Sequence, residues 1–502
     1  MKKIFTLLFG MFITTGMLRA QTPVPAGDVY GNWTATGSPY LVEGDIMVPA
    51  DCTLIIDAGV VVEFQGTYIF NIHGLIDCQG NETDSIIFTA IGYGGHRGLK
   101  IYTDTNITDS MLFTYCRFEK GRGSGDWPTN CGTGLAIQDF DRVRIEHCTF
   151  SDNVAYNGSQ AAGGAIALGG FDGIIRNNSF INNRSIYGGG IMVWNDSDPL
   201  ISQNYFYANR ATYEGGAIQI WTMCDGPVIN NTFIENRANQ RGGAISIYDN
   251  SHPLVSHNLF DDNIAMQMGG AIFLEVDCNP VFLNNTFVKN HAVLSGGAIH
   301  NQEECCPRLI NNIFWDNTSE TGSQFCNNDT ICIPDFFNND IQYGQDSIAG
   351  FHSLCEWKSN IDAYPEFEDT TAANFFLTMV SPCIDAGVDT ILDPDGTRSD
   401  MGAYYFDQTG IGIAEALDPA DRPELYCWPN PAREEVEIIS WLPGAGSLDA
   451  RLSVFDMTGN KVDELPVNGE AVKYNATHLP PGMYLLRLQA GNRIATGKLV
   501  KR

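Results

Sequence analysis

Between Phe150 and Asn317 the sequence repeats itself at a nearly constant interval. The first repeated motif is Gly-Gly-Ala-Ile or a close variant, whose last four intervals are all 27 residues; it starts at Gly163, Gly188, Gly215, Gly242, Gly269 and Gly296. The second is Phe-x-x-Asn, which starts at Phe150, Phe180, Phe206, Phe233, Phe260, Phe287 and Phe314. A fixed period of this length indicates stacked structural units, each of which buries its apolar face against its neighbours.

Each unit consists of two short extended runs joined by turns. In the unit that begins at Gly215, Ile218 and Ile220 share one face of an alternating strand. Gln219 and Trp221 share the other face. Two glycines per unit and few helix-favouring runs argue against a helical solenoid. We therefore predict an all-β chain, a β-solenoid with one unit per coil and coils stacked ~4.8 Å apart in parallel, in-register sheets.

Stacking in register turns each aligned position into a column of side chains. The motif Phe residues would form an aromatic column in the core, which Phe64, Phe88 and Phe118 would extend at uneven spacing. The motif Asn would hydrogen-bond to the coils on either side, and we interpret it as structural because every coil has it. The Gly pairs are interpreted as corners that need positive φ or a close backbone approach.

These paired GGAI and FxxN motifs resemble those of polymorphic outer-membrane proteins and of secreted bacterial right-handed parallel β-helix proteins. The resemblance covers roughly residues 132–343 and implies a right-handed parallel β-helix over residues 21–345, with an N-terminal cap. It implies no activity, because this architecture carries lyases, hydrolases, adhesins and inert spacers. Ser381 to Phe406, within residues 346–409, resembles a closing segment, which we expect to cover the open edges of the last coil.

The two ends of the chain carry export signals. Residues 1–20 have the charged start, apolar stretch and terminal Ala20 of a signal peptide. A linker, residues 410–424, precedes residues 425–502, whose short strands and frequent turns predict a small β-sandwich. The motifs PNP, FDMTG, LPPGMY and KLVKR in this order resemble the C-terminal sorting domain of the type IX secretion system of Bacteroidetes. The resemblance implies that this machinery is a partner and that the protein is released or held at the outer cell surface.

Charge narrows the range of partners. The chain has 59 acidic and 29 basic residues, a formal net charge of −30, which argues against nucleic acid or an anionic membrane as partner. After the signal peptide, no apolar run is long enough to span a membrane. No cofactor is required by the sequence, and calcium would suit the acidic balance. Asp393, Asp395 and Asp400 form a weak candidate calcium loop, with a turn capped by Asp side chains as the alternative.

Fourteen cysteines follow the signal peptide, and the export route passes through an oxidising periplasm. Cys116 and Cys148 each lie two residues before a Phe of the aromatic column, and Cys278 and Cys305 each lie nine residues after a Gly-Gly pair. Neighbouring coils are close enough for disulfides, so both pairs are candidates, with buried thiols as the alternative. Zinc is disfavoured because no Cys-x-x-Cys pair occurs.

One outward-facing position carries aromatic residues in three successive units. Trp194, Trp221 and Tyr248 would form a flat track along the solenoid axis, with Asp249 and Glu275 at its far end. Sugars stack on such rings while polar neighbours read their hydroxyl groups, so these five residues are our candidate binding site for a polysaccharide or surface glycan. The alternative is that the rings pack under a loop or stiffen the sheet.

No complete catalytic set lies on one predicted face. A lyase needs calcium-binding carboxylates and a base, and a hydrolase needs grouped carboxylates. Arg184, Arg210 and Arg237 are in register, and we expect a solvated face paired with Glu235 or Asp262. We therefore predict a non-catalytic, adhesin-like glycan- or surface-binding protein. The alternative is a polysaccharide lyase or glycoside hydrolase acting on anionic polysaccharide.

Overall fold

The computed structural model consists mainly of three parallel sheets, each of 13 strands, that wind into one solenoid. This confirms the all-β, parallel solenoid architecture predicted from the repeat. The signal peptide and most of the linker lie outside the described residues. The structure describes residues 21–102, 109–123, 125, 130–156, 161–328, 330–331, 333–351, 355–408, 424–428, 435–441, 450–456, 461–467, 471–480, 482–490 and 493–501.

Each coil contributes one short strand to each of the three sheets. The first sheet contains Thr22–Val24, Tyr40–Val42, Val61–Phe64, Ile86–Ala90, Cys116–Glu119, Thr149–Ser151, Ser179–Ile181, Tyr205–Tyr207, Thr232–Ile234, Leu259–Asp261, Thr286–Val288, Ile313–Trp315 and Asp340–Ile341. The second contains Gly27–Asp28, Ile46–Val48, Phe70–Ile72, Leu99–Ile101, Leu135–Gln138, Ile166–Gly169, Ile191–Trp194, Ile218–Trp221, Ile245–Tyr248, Ile272–Glu275, Ile299–Asn301, Phe325–Asn327 and Ile348–Gly350. The third contains Gly31–Trp33, Thr53–Ile56, Leu75–Gln79, Met111–Thr114, Val143–Glu146, Ile174–Arg176, Leu200–Ser202, Val228–Ile229, Leu254–Ser256, Val281–Leu283, Arg308–Ile310, Asp335–Phe337 and Trp357–Lys358.

A fourth parallel sheet precedes the Gly-Gly corners in the middle coils. It contains Arg122–Gly123, Val154–Ala155, Arg184–Tyr187, Arg210–Glu214, Arg237–Ala238, Ile264–Ala265 and His291–Ala292. Short 3₁₀ helices span Ala35–Gly37 and Gly344–Ser347, and an antiparallel pair joins Phe367–Asp369 to Asn374–Leu377. The C-terminal region forms two antiparallel sheets, one of Glu424–Trp428, Glu435–Trp441 and Ala471–Asn475, the other of Ala450–Asp456, Lys461–Val467, Gly482–Ala490 and Arg493–Lys501.

The predicted aromatic column runs through the core along the first sheet. From Phe118 to Phe314 its rings stack with neighbouring centroids 4.6–5.1 Å apart and neighbouring planes within 8° of parallel. Phe88 also joins the column, stacked on Phe118 at 4.9 Å. Phe64 does not, because it pairs in register with Ala90 and stacks on His96 instead.

The motif Asn residues form the predicted hydrogen-bonded column, and each one links three coils. The Asn236 amide group donates to the Phe206 carbonyl at 3.0 Å and to Asn263 Oδ1 at 3.0 Å. The Asn263 oxygen also accepts the backbone N–H of Asn236, at 3.1 Å. At the C-terminal end the column stops at Asn317, whose amide group donates to the buried side chain of Gln324 at 2.7 Å.

A second Asn column, absent from our sequence analysis, lies two residues before the Phe column. Seven members make the same three-coil bonds: Asn178, Asn204, Asn231, Asn258, Asn285, Asn312 and Asn339. Asn360 ends the column, accepting from Asn339 and donating to the Phe336 carbonyl. Cys148 and Cys116 continue this column toward the N-terminus. The Cys148 N–H donates to Asn178 Oδ1 at 2.8 Å, and the Cys116 N–H donates to Cys148 Sγ at 3.4 Å.

Neither of the two candidate disulfides is formed in this structure, although both cysteine pairs lie in neighbouring coils. Cys116, Cys148 and Cys278 are free thiols. Cys305 Sγ accepts the backbone N–H of Cys278 at 3.1 Å, as Ser251 Oγ accepts the N–H of Cys224 at 3.1 Å. Stacking in parallel register therefore directs each sulfur at a neighbouring coil's amide, where it replaces the oxygen of Asn or Ser.

Both glycines of the Gly-Gly corner are required, for two different reasons. Gly242 has φ +64°, a backbone conformation that side chains other than Gly rarely adopt. Gly243 approaches the next coil so closely that a Cβ atom there would lie 2.0 Å from the carbonyl oxygen of Gly270. These positions confirm the predicted roles of positive φ and close approach.

A column of acidic side chains, the acidic column, lies in the turns between the second and third sheets. The carboxylates of Asp141, Asp172, Asp198 and Asp225 each accept the backbone N–H of the following coil, at 2.5–3.1 Å. Burial raises the pKa of Asp198 to about 7 and that of Asp172 to about 6, and the neighbouring aspartates add to both shifts. His252 and Asn279 continue the same column without further negative charge.

The closing segment contacts the side of several late coils, because Asn284, Asn311 and Asn338 present outward amide groups that bond its backbone. Asn284 donates to the Asp400 carbonyl at 2.7 Å, Asn311 accepts the Val388 N–H at 2.8 Å, and Asn338 donates to the Gly387 carbonyl at 3.1 Å. Apolar packing completes the contact; it involves Leu259, Val288, Ile313, Phe367, Phe375, Leu377, Cys383 and Met401.

Replacing one ladder asparagine tests the corner hydrogen bonds. In Asn236→Ala the carbonyl of Phe206, the N–H of Asn209 and the amide groups of Asn209 and Asn263 lose partners in a buried site. Because each buried group left unsatisfied costs about 1–3 kcal/mol, we expect the free energy of unfolding to fall by at least about 2 kcal/mol. Urea denaturation measures the change. Exposed Asn239→Ala in the same coil is the matched control and should change stability by less than about 0.5 kcal/mol.

The acidic column predicts that stability falls as pH rises. Asp198 has an ordinary pKa of 3.8 and a folded pKa of about 7, so the folded state binds the proton more tightly. Its stabilising contribution is complete below about pH 4 and is lost as pH rises through about 7. Asp198→Asn keeps the acceptor oxygen and removes the charge, so its melting temperature above neutral pH should exceed that of wild type. An equal gain in exposed Asp28→Asn would contradict this assignment.

Candidate functional site

The aromatic column predicted on the outer face of the second sheet exists in register. Trp194 pairs with Trp221, Trp221 with Tyr248, and Tyr248 with Glu275 in successive coils. Trp221 is 42% exposed, while Trp194 and Tyr248 are half-buried. The inward neighbours of these residues lie in the solenoid core, so the sheet fixes the direction of all three rings.

The rings do not form the flat track that we expected. The Trp221 and Tyr248 rings meet edge to face, with centroids 6.0 Å apart and planes at 77°. The Trp194 indole lies against Gly169 of the preceding coil, where a Cβ atom would be 3.0 Å from two of its ring atoms. The column is therefore a stepped surface, with Trp221 as its most exposed ring.

Beside the aromatic column lies a second outward column, which is buried despite its orientation. It consists of Met192, Gln219, Ser246, Phe273 and His300, all at most 3% exposed. A third column, from the residue before each Gly-Gly pair, lies over them; its members are Tyr187, Glu214, Arg241, Met268 and Ser295. The Arg241 guanidinium stacks 4.6 Å from the centroid of the Phe273 ring, and Ser295 Oγ hydrogen-bonds His300 Nδ1 at 2.9 Å.

Three of these side chains form a Glu–Arg–Glu cluster, which we define as Glu214, Arg241 and Glu275. Arg241 Nη1 bonds Glu275 Oε2 at 2.7 Å, and Arg241 Nη2 pairs with Glu214 Oε1. Gln302 donates to the other oxygen of Glu275 at 2.5 Å. Burial raises the pKa of Glu214, while Arg241 opposes that shift. The cluster thus places two carboxylates and one guanidinium next to the aromatic column.

One buried polar atom in this site has no hydrogen-bond partner among the described residues. Gln219 is 2% exposed, and its Oε1 atom is unsatisfied. Gln219 lies between Glu214 and Trp221 in sequence and pairs with Ser246 of the next coil. A buried amide oxygen without a donor normally marks a place where water or a ligand supplies one.

The five predicted ligand-binding residues therefore have different environments. Trp194, Trp221 and Tyr248 form the outer surface, whereas Glu275 is 7% exposed and ion-paired to Arg241. Asp249, in the turn after Tyr248, accepts a hydrogen bond from Thr222 at 2.9 Å. Sequence reasoning missed Glu214 and Arg241, although both directly precede a Gly-Gly pair and the same register that identified the aromatic column could have found them.

The candidate calcium loop has its carboxylates engaged with the chain. Asp393 accepts the Asp400 N–H at 2.8 Å, Asp395 accepts the Thr397 N–H at 3.0 Å, and Asp400 accepts the Phe406 N–H at 2.7 Å. This matches the alternative of a turn capped by Asp side chains. Within the described ranges, no three His, Cys, Asp or Glu side chains converge in a way that could hold a metal ion.

Two comparisons identify the parts of the chain. The family model described as the right handed beta helix region matches residues 58–252 and 157–314. The model described as the secretion system C-terminal sorting domain matches residues 426–502. No curated protein matches the chain significantly. In the described part of the chain, none of the helices is long and apolar enough to cross a membrane. The chain belongs to the right-handed β-helix family and ends in a type IX sorting domain that directs it to the cell surface or the surrounding medium.

Proposed function

We propose that this exported β-helix binds glycan chains with the outer face of its second sheet. The observation that carries the proposal is the column of Trp194, Trp221 and Tyr248 beside the buried Glu–Arg–Glu cluster. Aromatic rings offer apolar faces to the C–H groups of sugars, and buried polar side chains with fixed geometry distinguish hydroxyl groups. The aromatic column and the Glu–Arg–Glu cluster lie side by side on the solenoid.

Trp221 is the principal contact for a sugar ring. Its indole is the most exposed of the three, and the edge-to-face contact with Tyr248 fixes its orientation. An aromatic pair in this geometry is rigid, so binding a sugar on it requires little further ordering of side chains. The half-buried ring of Trp194, one coil away, supplies a second, less exposed contact.

The hydroxyl groups of the sugar are recognised by polar groups that the Glu–Arg–Glu cluster holds in place. Arg241, with a side chain 22% exposed, donates outward to a sugar hydroxyl from between its two carboxylates, and Gln219 lies buried behind it. Glu275 is constrained by both Arg241 and Gln302, so it orients the guanidinium and contributes little direct contact. This division of roles favours a neutral, hydroxyl-rich sugar over a charged one at this face.

Removing the two outermost rings tests the proposed face. The double variant Trp221→Ala with Tyr248→Ala should bind its glycans at least about ten-fold more weakly, because buried aromatic contacts dominate such interfaces. A glycan array with wild-type protein identifies the ligands, and titration of the best one measures the loss. Tyr93→Ala removes an aromatic ring that is fully exposed elsewhere and should leave binding unchanged. Undiminished binding by the double variant would discard the face.

A glycoside hydrolase is the second candidate, because Glu214 and Glu275 both bond Arg241 at the edge of the same face. Hydrolases use paired carboxylates, one of which must hold a proton, and burial raises the pKa of Glu214 in that direction. No comparable observation favours a lyase, since Arg241 is neutralised by two carboxylates and cannot serve as a base.

The hydrolase candidate predicts release of reducing ends from a polysaccharide that the wild-type protein binds. Glu214→Gln should then lower the rate by about 10²–10⁴-fold and leave binding intact, because it removes the proton donor but keeps the shape. Reducing-end assays measure hydrolysis, and ultraviolet absorbance of unsaturated products would reveal a lyase instead. A wild-type protein that yields neither product on its bound glycans is a binding protein only.

A further inference from the structure

A second surface, on the fourth sheet, carries arginines that form no ion pair among the described residues. Arg184 pairs in register with Arg210, and Arg210 with Arg237. Arg122 lies two coils before Arg184, separated from it by Val154. We call these four side chains the arginine column. Neighbouring coils are ~4.8 Å apart, so the column spans about 19 Å along the solenoid axis.

The expected pairing of these arginines with Glu235 or Asp262 is wrong. Among the described residues, no carboxylate oxygen lies within 4.0 Å of a guanidinium nitrogen of the arginine column. Arg184 donates to the neutral Asn182 Oδ1 at 3.3 Å, and Arg237 Nη2 lies 3.0 Å from Met266 Sδ, a weak acceptor. Glu235 interacts instead with Tyr207, whose pKa it raises.

Unpaired arginines in register are costly in isolation, because like charges in directly opposite positions of a sheet repel each other. Acidic residues outnumber basic residues by 59 to 29 in this chain, so partners for these arginines would be plentiful. Other arginines do have them: Arg117, Arg144, Arg176 and Arg241 all pair with glutamates. A bound anion would remove the repulsion along the arginine column.

Two adjoining cavities open onto the arginine column. The first, of about 300 Å³, is lined by Arg122, Asp152, Val154, Tyr156, Asn182 and Arg184. The second, of about 270 Å³, is lined by Tyr156, Arg184, Arg210, Ala211, Thr212, Arg237 and Asn239. The lining of the second cavity contains three guanidinium groups, hydroxyl and amide donors, and no carboxylate. The two share Tyr156 and Arg184, so they follow one another along the axis.

We infer that the arginine column binds an acidic polysaccharide, a chain bearing carboxylate or sulfate groups that runs along the solenoid axis. The second cavity holds one anionic group between Arg184, Arg210 and Arg237, and the first accepts the next part of the chain beside Arg122. Guanidinium groups bind carboxylate and sulfate-like oxyanions through paired hydrogen bonds. Several cationic positions repeated coil by coil suit a polymer with repeated charges better than one isolated anion.

This site is independent of the glycan-binding face proposed above, because it lies on another sheet and uses no residue of the aromatic column. The probes are immobilised dextran sulfate and polygalacturonate, with unsubstituted dextran as the neutral control. Wild-type protein should bind at least one of the two acidic polymers and not dextran, and added salt should weaken that binding. Trp221→Ala with Tyr248→Ala should leave it unchanged.

Substitution of the exposed Arg210 is the sharpest test. Arg210→Gln should weaken binding about ten-fold, since it removes a charged hydrogen-bond donor, while Arg210→Lys should weaken it less. Arg308→Gln, an exposed arginine outside the arginine column that stacks on Phe337, makes the same change in net charge and should have little effect. Thermal unfolding confirms that each variant is folded.

Four results would overturn the inference. Equal losses in Arg210→Gln and Arg308→Gln would show that the binding is only general charge attraction. Undiminished binding by Arg210→Gln would rule out the site, and so would equal binding of dextran. Binding of anionic phosphatidylglycerol vesicles in place of both polymers would assign the arginine column to a membrane surface.

Discussion

At its corners, the solenoid depends on side-chain acceptors that satisfy the backbone N–H groups of the neighbouring coil. Chain that turns out of a sheet leaves buried amides without partners, and each costs about 1–3 kcal/mol if unmet. Two asparagine columns meet this need and bond carbonyls as well, so they lock three coils at a time. Elsewhere Ser and Cys both accept an N–H and donate to a carbonyl, as Ser251 and Cys148 do. The aspartates only accept, and burial there raises the pKa of Asp198 to about 7.

The repeated coils use the same corner hydrogen bonds and the same Phe packing. Their outward-facing positions are therefore free to vary. Both proposed binding surfaces use such positions. One places aromatic rings beside Arg241 and its two glutamates, and the other leaves Arg184, Arg210 and Arg237 unpaired in successive coils. The sorting domain directs this scaffold to the cell surface or the surrounding medium, and the two proposed surfaces both run along the solenoid axis.

Periodicity predicted the parallel stacking, the Phe column, one Asn column and the Gly-Gly corners, because those features recur from repeat to repeat. It gave two extended runs per unit, whereas each coil contributes a strand to each of three sheets. It also placed Trp194, Trp221 and Tyr248 in one column. It could not predict ring orientation, which depends on local neighbours such as Gly169 under Trp194. Spacing showed that Cys116 and Cys148 are stacked, but not that they continue an Asn column through backbone hydrogen bonds. The side contacts of the closing segment were not predicted, because Asn284, Asn311 and Asn338 recur every 27 residues but the backbone groups of Gly387, Val388 and Asp400 that bond them have no period.

The way in which the first Asn column ends has a consequence for how such proteins change in length. The amide group of each Asn donates to the side-chain oxygen of the next Asn in the column. For Asn317, which also bonds the Phe287 carbonyl, the acceptor is instead the longer side chain of Gln324, and the column ends there. Whole 27-residue units can therefore be gained or lost upstream of this terminator without creating a new unmet group there. The length of the solenoid could thus evolve by duplication or deletion of internal units, while its two ends stay unchanged.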